Sequence, residues 1–114
     1  MEDFNIDEKN DLNTTVLYLE GYLDAHTSVE LEKRFEKLIS EDKIRVVVNF
    51  KNLSYISSAG LGVFMAYIES VRNKSGDIKL CEMNEKIFNI FEMLGFPLLF
   101  EIYNEETTAI EKFA

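Results

Sequence analysis

The chain has one cysteine, one proline, one histidine and no tryptophan among its 114 residues, and its 12 basic residues are outnumbered by 21 acidic ones. Cys81 alone excludes an internal disulfide and any multi-cysteine metal site. His26 is the sole imidazole, so a catalytic scheme has no second base of that kind to draw on. A single proline, Pro97, and only five glycines leave no flexible linker and no low-complexity stretch. No apolar run approaches the ~20 residues that span a bilayer. Met1 to Lys9 is acidic and lacks the basic-then-apolar layout of a secretory leader, so a soluble, cytoplasmic protein is expected. The formal net charge of -9 repels both the phosphate backbone of nucleic acid and an anionic membrane surface. A protein partner carrying basic residues is the more natural expectation, although the same charge also serves solubility.

What the chain does have is core-forming material. Hydrophobic residues make up 46% of it, with nine Phe and five Tyr. The length suits one domain, 1–114, and no internal repeat is visible. Phe4 to Asp7 and Thr14 to Gly21 alternate apolar and polar residues around a turn-rich Asn10-Asp11-Leu12-Asn13, which predicts a hairpin. Thr27 followed by Glu30 fits a capping box, and Leu31, Phe35, Leu38 and Ile39 repeat at helical spacing behind it. Ile44 to Phe50 is nearly continuous and β-branched, the pattern of a strand covered on both faces.

Leu61, Phe64, Met65, Ile68 and Val71 mark the buried side of a second helix, over 58–72. Asn73 to Asp77 stops it, and Ile78 to Cys81 reads as a short strand. Asn84 is placed to cap a third helix carrying Ile87, Phe88, Ile90, Phe91 and Leu94; Gly95 and Pro97 end it. Leu98 to Tyr103 reads as a last strand and Glu105 to Phe113 as a closing helix. The order ββαβαβαβα predicts an α/β domain with a mixed, mostly parallel sheet, an antiparallel first strand and about four helices.

Function in such a sheet gathers at the loops that follow the strands. Two stand out: Gly21-Tyr22-Leu23-Asp24-Ala25-His26-Thr27 and Ser57-Ser58-Ala59-Gly60-Leu61-Gly62. Both open a helix and should be neighbours. Two hydroxyls at a helix start lie where free N–H groups and the helix dipole favour an anion. Gly60 and Gly62 would keep the surface there low. The plainer reading is a serine cap followed by small packing residues.

Assembled catalytic motifs are missing. Asp24, His26 and Ser58 could be imagined as a triad, but the G-x-S-x-G elbow is absent and Asp24 and His26 are two residues apart. There is no phosphate-binding G-x-x-x-x-G-K-[ST] loop and no dinucleotide fingerprint. A binding module without catalytic residues, metal or cofactor is expected, in preference to a small hydrolase.

Gly21 to Thr27 resembles the G-x-[LI]-D-x-x-[TS] segment of the STAS-domain anti-sigma factor antagonists. Ile44 to Phe50, followed by Leu53-Ser54-Tyr55-Ile56-Ser57-Ser58-Ala59-Gly60-Leu61-Gly62, resembles that family's central strand and phosphorylation loop. The resemblance runs over essentially the whole chain. It implies that Ser58 is the serine phosphorylated by a partner kinase, with Ser57 the alternative, and that Asp24 is the acidic residue beside it. Ser57 stands where the family commonly has Asp, and Ala59 where Ser or Thr is frequent. Asp24, His26, Thr27, Ser57, Ser58, Ala59, Gly60 and Gly62 would then form the partner-binding loops. The implied mechanism is partner switching: unmodified antagonist binds an anti-sigma factor, often an ATP-dependent serine kinase, and frees the sigma factor. Phosphorylation breaks that complex and a PP2C-type phosphatase restores it. A STAS module of another assembly, a stressosome-like scaffold or the soluble partner of a lipid-transport ABC system, is the alternative.

Overall fold

The centre of the molecule is a twelve-residue strand, β3 (Arg45–Ile56), in which Val46, Val47, Val48, Asn49 and Phe50 are all buried. Continuous burial over both pleat directions means that helices cover both sides, as the unbroken β-branched run predicts. In the computed structural model, which describes residues 3–114, the elements around it are β1 (Phe4–Asp11), β2 (Thr14–Leu23), α1 (Ser28–Ser40), α2 (Ser58–Asn73), β4 (Asp77–Cys81), α3 (Glu85–Met93), a 3-10 turn (Phe96–Leu98), β5 (Ile102–Tyr103) and α4 (Glu106–Glu111). The sheet runs β1-β2-β3-β4-β5, in chain order. Only β1 is antiparallel to its neighbour; the other pairs are parallel. The expected ββαβαβαβα order and mixed sheet are therefore present. Among the described residues no helix is long and apolar enough to cross a membrane.

The two faces of the sheet are unequal. Leu17, Leu19, Val46, Val48, Phe50, Ile78 and Leu80 meet Leu31, Phe35 and Leu38 of α1, Leu61, Phe64, Ile68 and Val71 of α2, and Ile87 and Phe91 of α3. Full burial of one such side chain contributes roughly 1.5–3 kcal/mol. Phe64 is the hub, with Phe35, Phe50, Phe91 and Phe100 all within 6.4 Å of its ring, centroid to centroid. The other face has a small cluster, Val16, Val47, Cys81 and Ala109, covered by α4 alone. Polar tethers hold α4 there. The Glu106 carboxylate accepts from Tyr18 Oη and Asn49 Nδ2, each at 2.9 Å. The Lys79 ammonium, almost fully buried, bonds Asp77 and Glu101 and lies 4.7 Å from the centre of the Phe113 ring.

Several details differ from the sequence expectation, among them a closing helix confined to Glu106–Glu111 where the sequence predicts Glu105 to Phe113. β1 continues past Asp7 to Asp11 through exposed polar residues, because an edge strand needs only its ladder to β2. The hairpin turn shrinks to Leu12-Asn13, with Leu12 at φ 57. β3 takes in Lys51 to Ile56, which carry no clean alternation because the β2–β3 ladder slips twice, at Tyr18/Glu20 and Gly21/Tyr22. Met65 is 45% exposed and Leu94 57%, so each is outside the core. The last strand is only Ile102–Tyr103: Gly95, at φ 77, ends α3 in the left-handed region, and Pro97 then winds Phe96–Leu98 into a 3-10 turn.

Candidate functional site

The two loops singled out in the sequence are joined by backbone. Leu23 and Ile56 are the last parallel pair of β2 and β3. One residue on, the Ser57 N–H donates to the Leu23 carbonyl at 2.9 Å. The chain after Leu23 and the chain after Ser57 therefore leave the sheet from adjacent points.

The first loop is organised by Asp24. Its Oδ1 accepts from the N–H of His26 at 2.9 Å, the N–H of Thr27 at 3.0 Å and the Thr27 hydroxyl at 3.2 Å. These bonds, led by the one from the Thr27 N–H, hold the carboxyl below its ordinary range, against a smaller opposing effect of burial. The Thr27 hydroxyl also lies 2.7 Å from the Tyr22 carbonyl and accepts from the Asp24 N–H at 2.9 Å. This corrects the capping-box expectation. Thr27 occupies the N-cap position of α1 but makes no side-chain cap bond, because its hydroxyl is turned back into the loop. Local side chain–backbone pairing has won over helix capping.

In the second loop the two serines separate. Ser57 is the N-cap of α2: its backbone is extended and its hydroxyl accepts from the Gly60 N–H at 3.2 Å. Ser58 is the first helical residue, is exposed, and its hydroxyl makes no protein hydrogen bond among the described residues. Ala59 and Gly62 are exposed with it. Gly60 is buried and faces inward: a Cβ there would come within 2.8 Å of Leu23 Cγ and 3.0 Å of the Leu23 carbonyl oxygen. Its bareness lets α2 pack on the end of β2 and does not lower the outer surface. A Cβ on Gly62 would meet nothing within 4 Å, so that position does keep the surface low.

The residues 4–109 match the STAS domain family. The chain belongs to that family. Over 96 residues this STAS domain is 28% identical to the anti-sigma F factor antagonist of Paenibacillus polymyxa, an alignment covering 83% of this chain and 82% of the relative. An anti-sigma factor antagonist from Mycobacterium paratuberculosis superposes with a TM-score of 0.88 at 15% identity, covering 96% of this chain and 93% of that one. The Bacillus cell fate determinant SpoIIAA, in its phosphorylated form, superposes with a TM-score of 0.75 at 20% identity, covering 98% of this chain and all of that one. These two likenesses speak to the fold.

The STAS domain thus sets Asp24, Thr27, Ser57, Ser58, Ala59, Gly60 and Gly62 along one edge. His26 is exposed on the same loop, its N–H on Asp24. No hydrogen bond among the described residues links the His26 ring, Asp24 and Ser58 in series. Sequence reading left open which serine is the cap. No local signal separates them: each serine stands three residues before a backbone N–H, at Gly60 and at Leu61, and only the point where α2 begins decides between them.

Proposed function

We propose that this STAS domain is an anti-sigma factor antagonist that works by partner switching, with Ser58 as the phosphorylated residue. The observation that carries the reading is the division of labour between the serines. Ser57 is engaged in capping α2, while the Ser58 hydroxyl stands exposed on the same turn, flanked by Ala59 and Gly62, where a partner can approach closely. The reading is supported by relatives named as anti-sigma factor antagonists.

Unmodified, the edge formed by the Asp24 and Ser57 loops docks on an anti-sigma factor that is also an ATP-dependent serine kinase. The chain itself contributes no catalysis; it is the substrate and the ligand. Phosphorylation adds about -1.5 to -2 charge and several acceptor oxygens at the contact. At the first helical position that charge is compatible with the fold, because the dipole and free N–H groups of a helix N-terminus favour an anion. Binding is lost at the interface and not by unfolding. A PP2C-type phosphatase reverses the switch, and all three proteins meet in the cytoplasm.

Incubated with its kinase and ATP, the protein should gain one phosphate, mapped to Ser58. Ser58→Ala should still bind and resist modification. The phosphorylated form should bind at least about 100-fold more weakly, equivalent to ~2.7 kcal/mol. A phosphorylated form that binds as tightly as the unmodified one would overturn the reading.

A further inference from the structure

Three of the five tyrosines have evident structural employment. Tyr18, Tyr67 and Tyr103 each donate a hydroxyl hydrogen bond to a carboxylate, on Glu106, Glu36 and Glu101 respectively. Tyr22 and Tyr55 do not. They are register partners on β2 and β3, 38% and 42% exposed, with ring centroids 5.3 Å apart and planes inclined at 35°. Their hydroxyls have no protein partner among the described residues. Packing does not account for them either, since the adjacent Leu23 and Ile56 point the other way and supply the core contacts.

The pair also sits where the sheet is bare. α4 covers Val16, Val47 and Cys81, leaving the ends of β2 and β3 on that face open. Tyr22 is two residues before Asp24 and Tyr55 two before Ser57, so the rings adjoin the proposed switch. Beside them, Asp3 and Glu20 share a hollow whose one cation among the described residues is Lys51.

We propose that Tyr22 and Tyr55 form an aromatic anchor for the anti-sigma factor kinase, continuous with the Ser58 site and engaged by a basic face of that kinase. The proposal rests on the partner-switching reading and extends it to a second contact. A stable interface covers about 800 Å² per partner. On a molecule of 35 × 25 × 23 Å, a footprint of that size around Ser58 is broad enough to include the end of β3 at Tyr55, three residues away in the chain, and its register partner Tyr22. Exposed tyrosines supply large, rigid, amphipathic contact area and are enriched among energetic anchors. Their ring faces attract guanidinium and ammonium groups, and the flanking carboxylates of Asp3, Glu20 and Asp24 add to the same preference.

The test uses the purified anti-sigma factor serine kinase that modifies Ser58, with the full chain as substrate. Tyr22→Ser and Tyr55→Ser should each raise KM, and the Kd without ATP, roughly tenfold, as loss of an interface anchor does. The kcat should hold, because Ser57 and Ser58 are untouched. Tyr22→Phe and Tyr55→Phe, which keep the rings, should stay within about threefold. Leu12→Ser, at an exposed turn on the opposite edge, should change nothing. A second measurement needs no variant: nitration of the wild-type protein by tetranitromethane should reach Tyr22 and Tyr55 freely and be suppressed by bound kinase. Wild-type KM in both serine variants, or equal nitration with and without kinase, would overturn the anchor and leave the switch standing. Absence of any kinase that phosphorylates or binds the wild-type chain would remove the switch and the anchor together.

Discussion

The Ser57 N–H donates to the Leu23 carbonyl at 2.9 Å, and this bond places the β2–α1 and β3–α2 loops side by side. Around it the serines take different parts. Ser57→Ala removes the acceptor for the Gly60 N–H and should lower unfolding free energy by about 1 kcal/mol, as loss of an N-cap does. Ser58→Ala should leave the urea midpoint within about 0.5 kcal/mol of wild type, since that side chain is exposed and unbonded. Equal losses in the two variants would show that the cap is misassigned.

Gly60 and Gly62 should respond to alanine with opposite signs. At Gly60 the new methyl would meet Leu23 Cγ at 2.8 Å and the Leu23 carbonyl at 3.0 Å, so overpacking should destabilise by about 1–3 kcal/mol. At Gly62 the methyl enters open space on a helix and should stabilise by roughly 0.5–1 kcal/mol. If Gly62 is a partner contact, Gly62→Ala should weaken kinase binding in the same protein that denaturant finds more stable.

Phe64→Ala should cost roughly 3–5 kcal/mol, because the fully buried ring is shared by four other aromatic rings. Met65→Ala, one position along, should cost under about 1 kcal/mol, since Met65 is 45% exposed. A denaturant series on both variants measures the helical phase directly.

The lowered Asp24 carboxyl has a defined pH consequence. A group whose folded pKa is depressed adds stability above its unfolded value, and that contribution disappears as pH falls through the folded value. The bonds to the Thr27 and His26 N–H groups should therefore persist through neutral and mildly acidic pH and be lost only below the ordinary aspartate range. A carbon-detected NMR titration should put the Asp24 midpoint below that of an unstructured aspartate. Asp24→Asn keeps an acceptor oxygen and should preserve the loop while slowing phosphorylation or weakening the kinase complex. Asp24→Ala should disorder the loop as well.

Cys81 should be silent. Burial, followed by the negative charge of Glu106 and Glu82, pushes its thiol up to about 12. Alkylation by iodoacetamide at pH 8 should proceed only through unfolding, at a rate that rises with denaturant. Rapid modification of the native protein would show that α4 opens readily.

Much of this fold was legible because patterning and chemistry agreed. The unbroken Ile44 to Phe50 run announced a two-sided strand; Asn84 announced a cap, and its oxygen does accept from the Ile87 N–H at 2.8 Å. What escaped was set by long-range geometry. Met65 shares its periodicity with Leu61 and Ile68, but the buried face of α2 is turned toward Gly60 and Val63, which leaves Met65 on the outer flank. Thr27 and Glu30 match a capping box, but Asp24 three residues earlier competes for the same hydroxyl. The Tyr22–Tyr55 pairing depends on two register slips in the β2–β3 ladder, which no local pattern records.

The strand order β1-β2-β3-β4-β5 carries a consequence for how the chain reaches this state. Each strand lies beside the one that precedes it in the chain. No strand must later be threaded between two that are already paired. Loop closure is confined to one crossover at a time, which limits the entropy lost at each parallel pairing. The last pieces to arrive, the two-residue β5 and α4, are also those that shield Cys81 and complete the thin second face. Thiol accessibility on stalled or truncated chains would therefore report the final step of assembly.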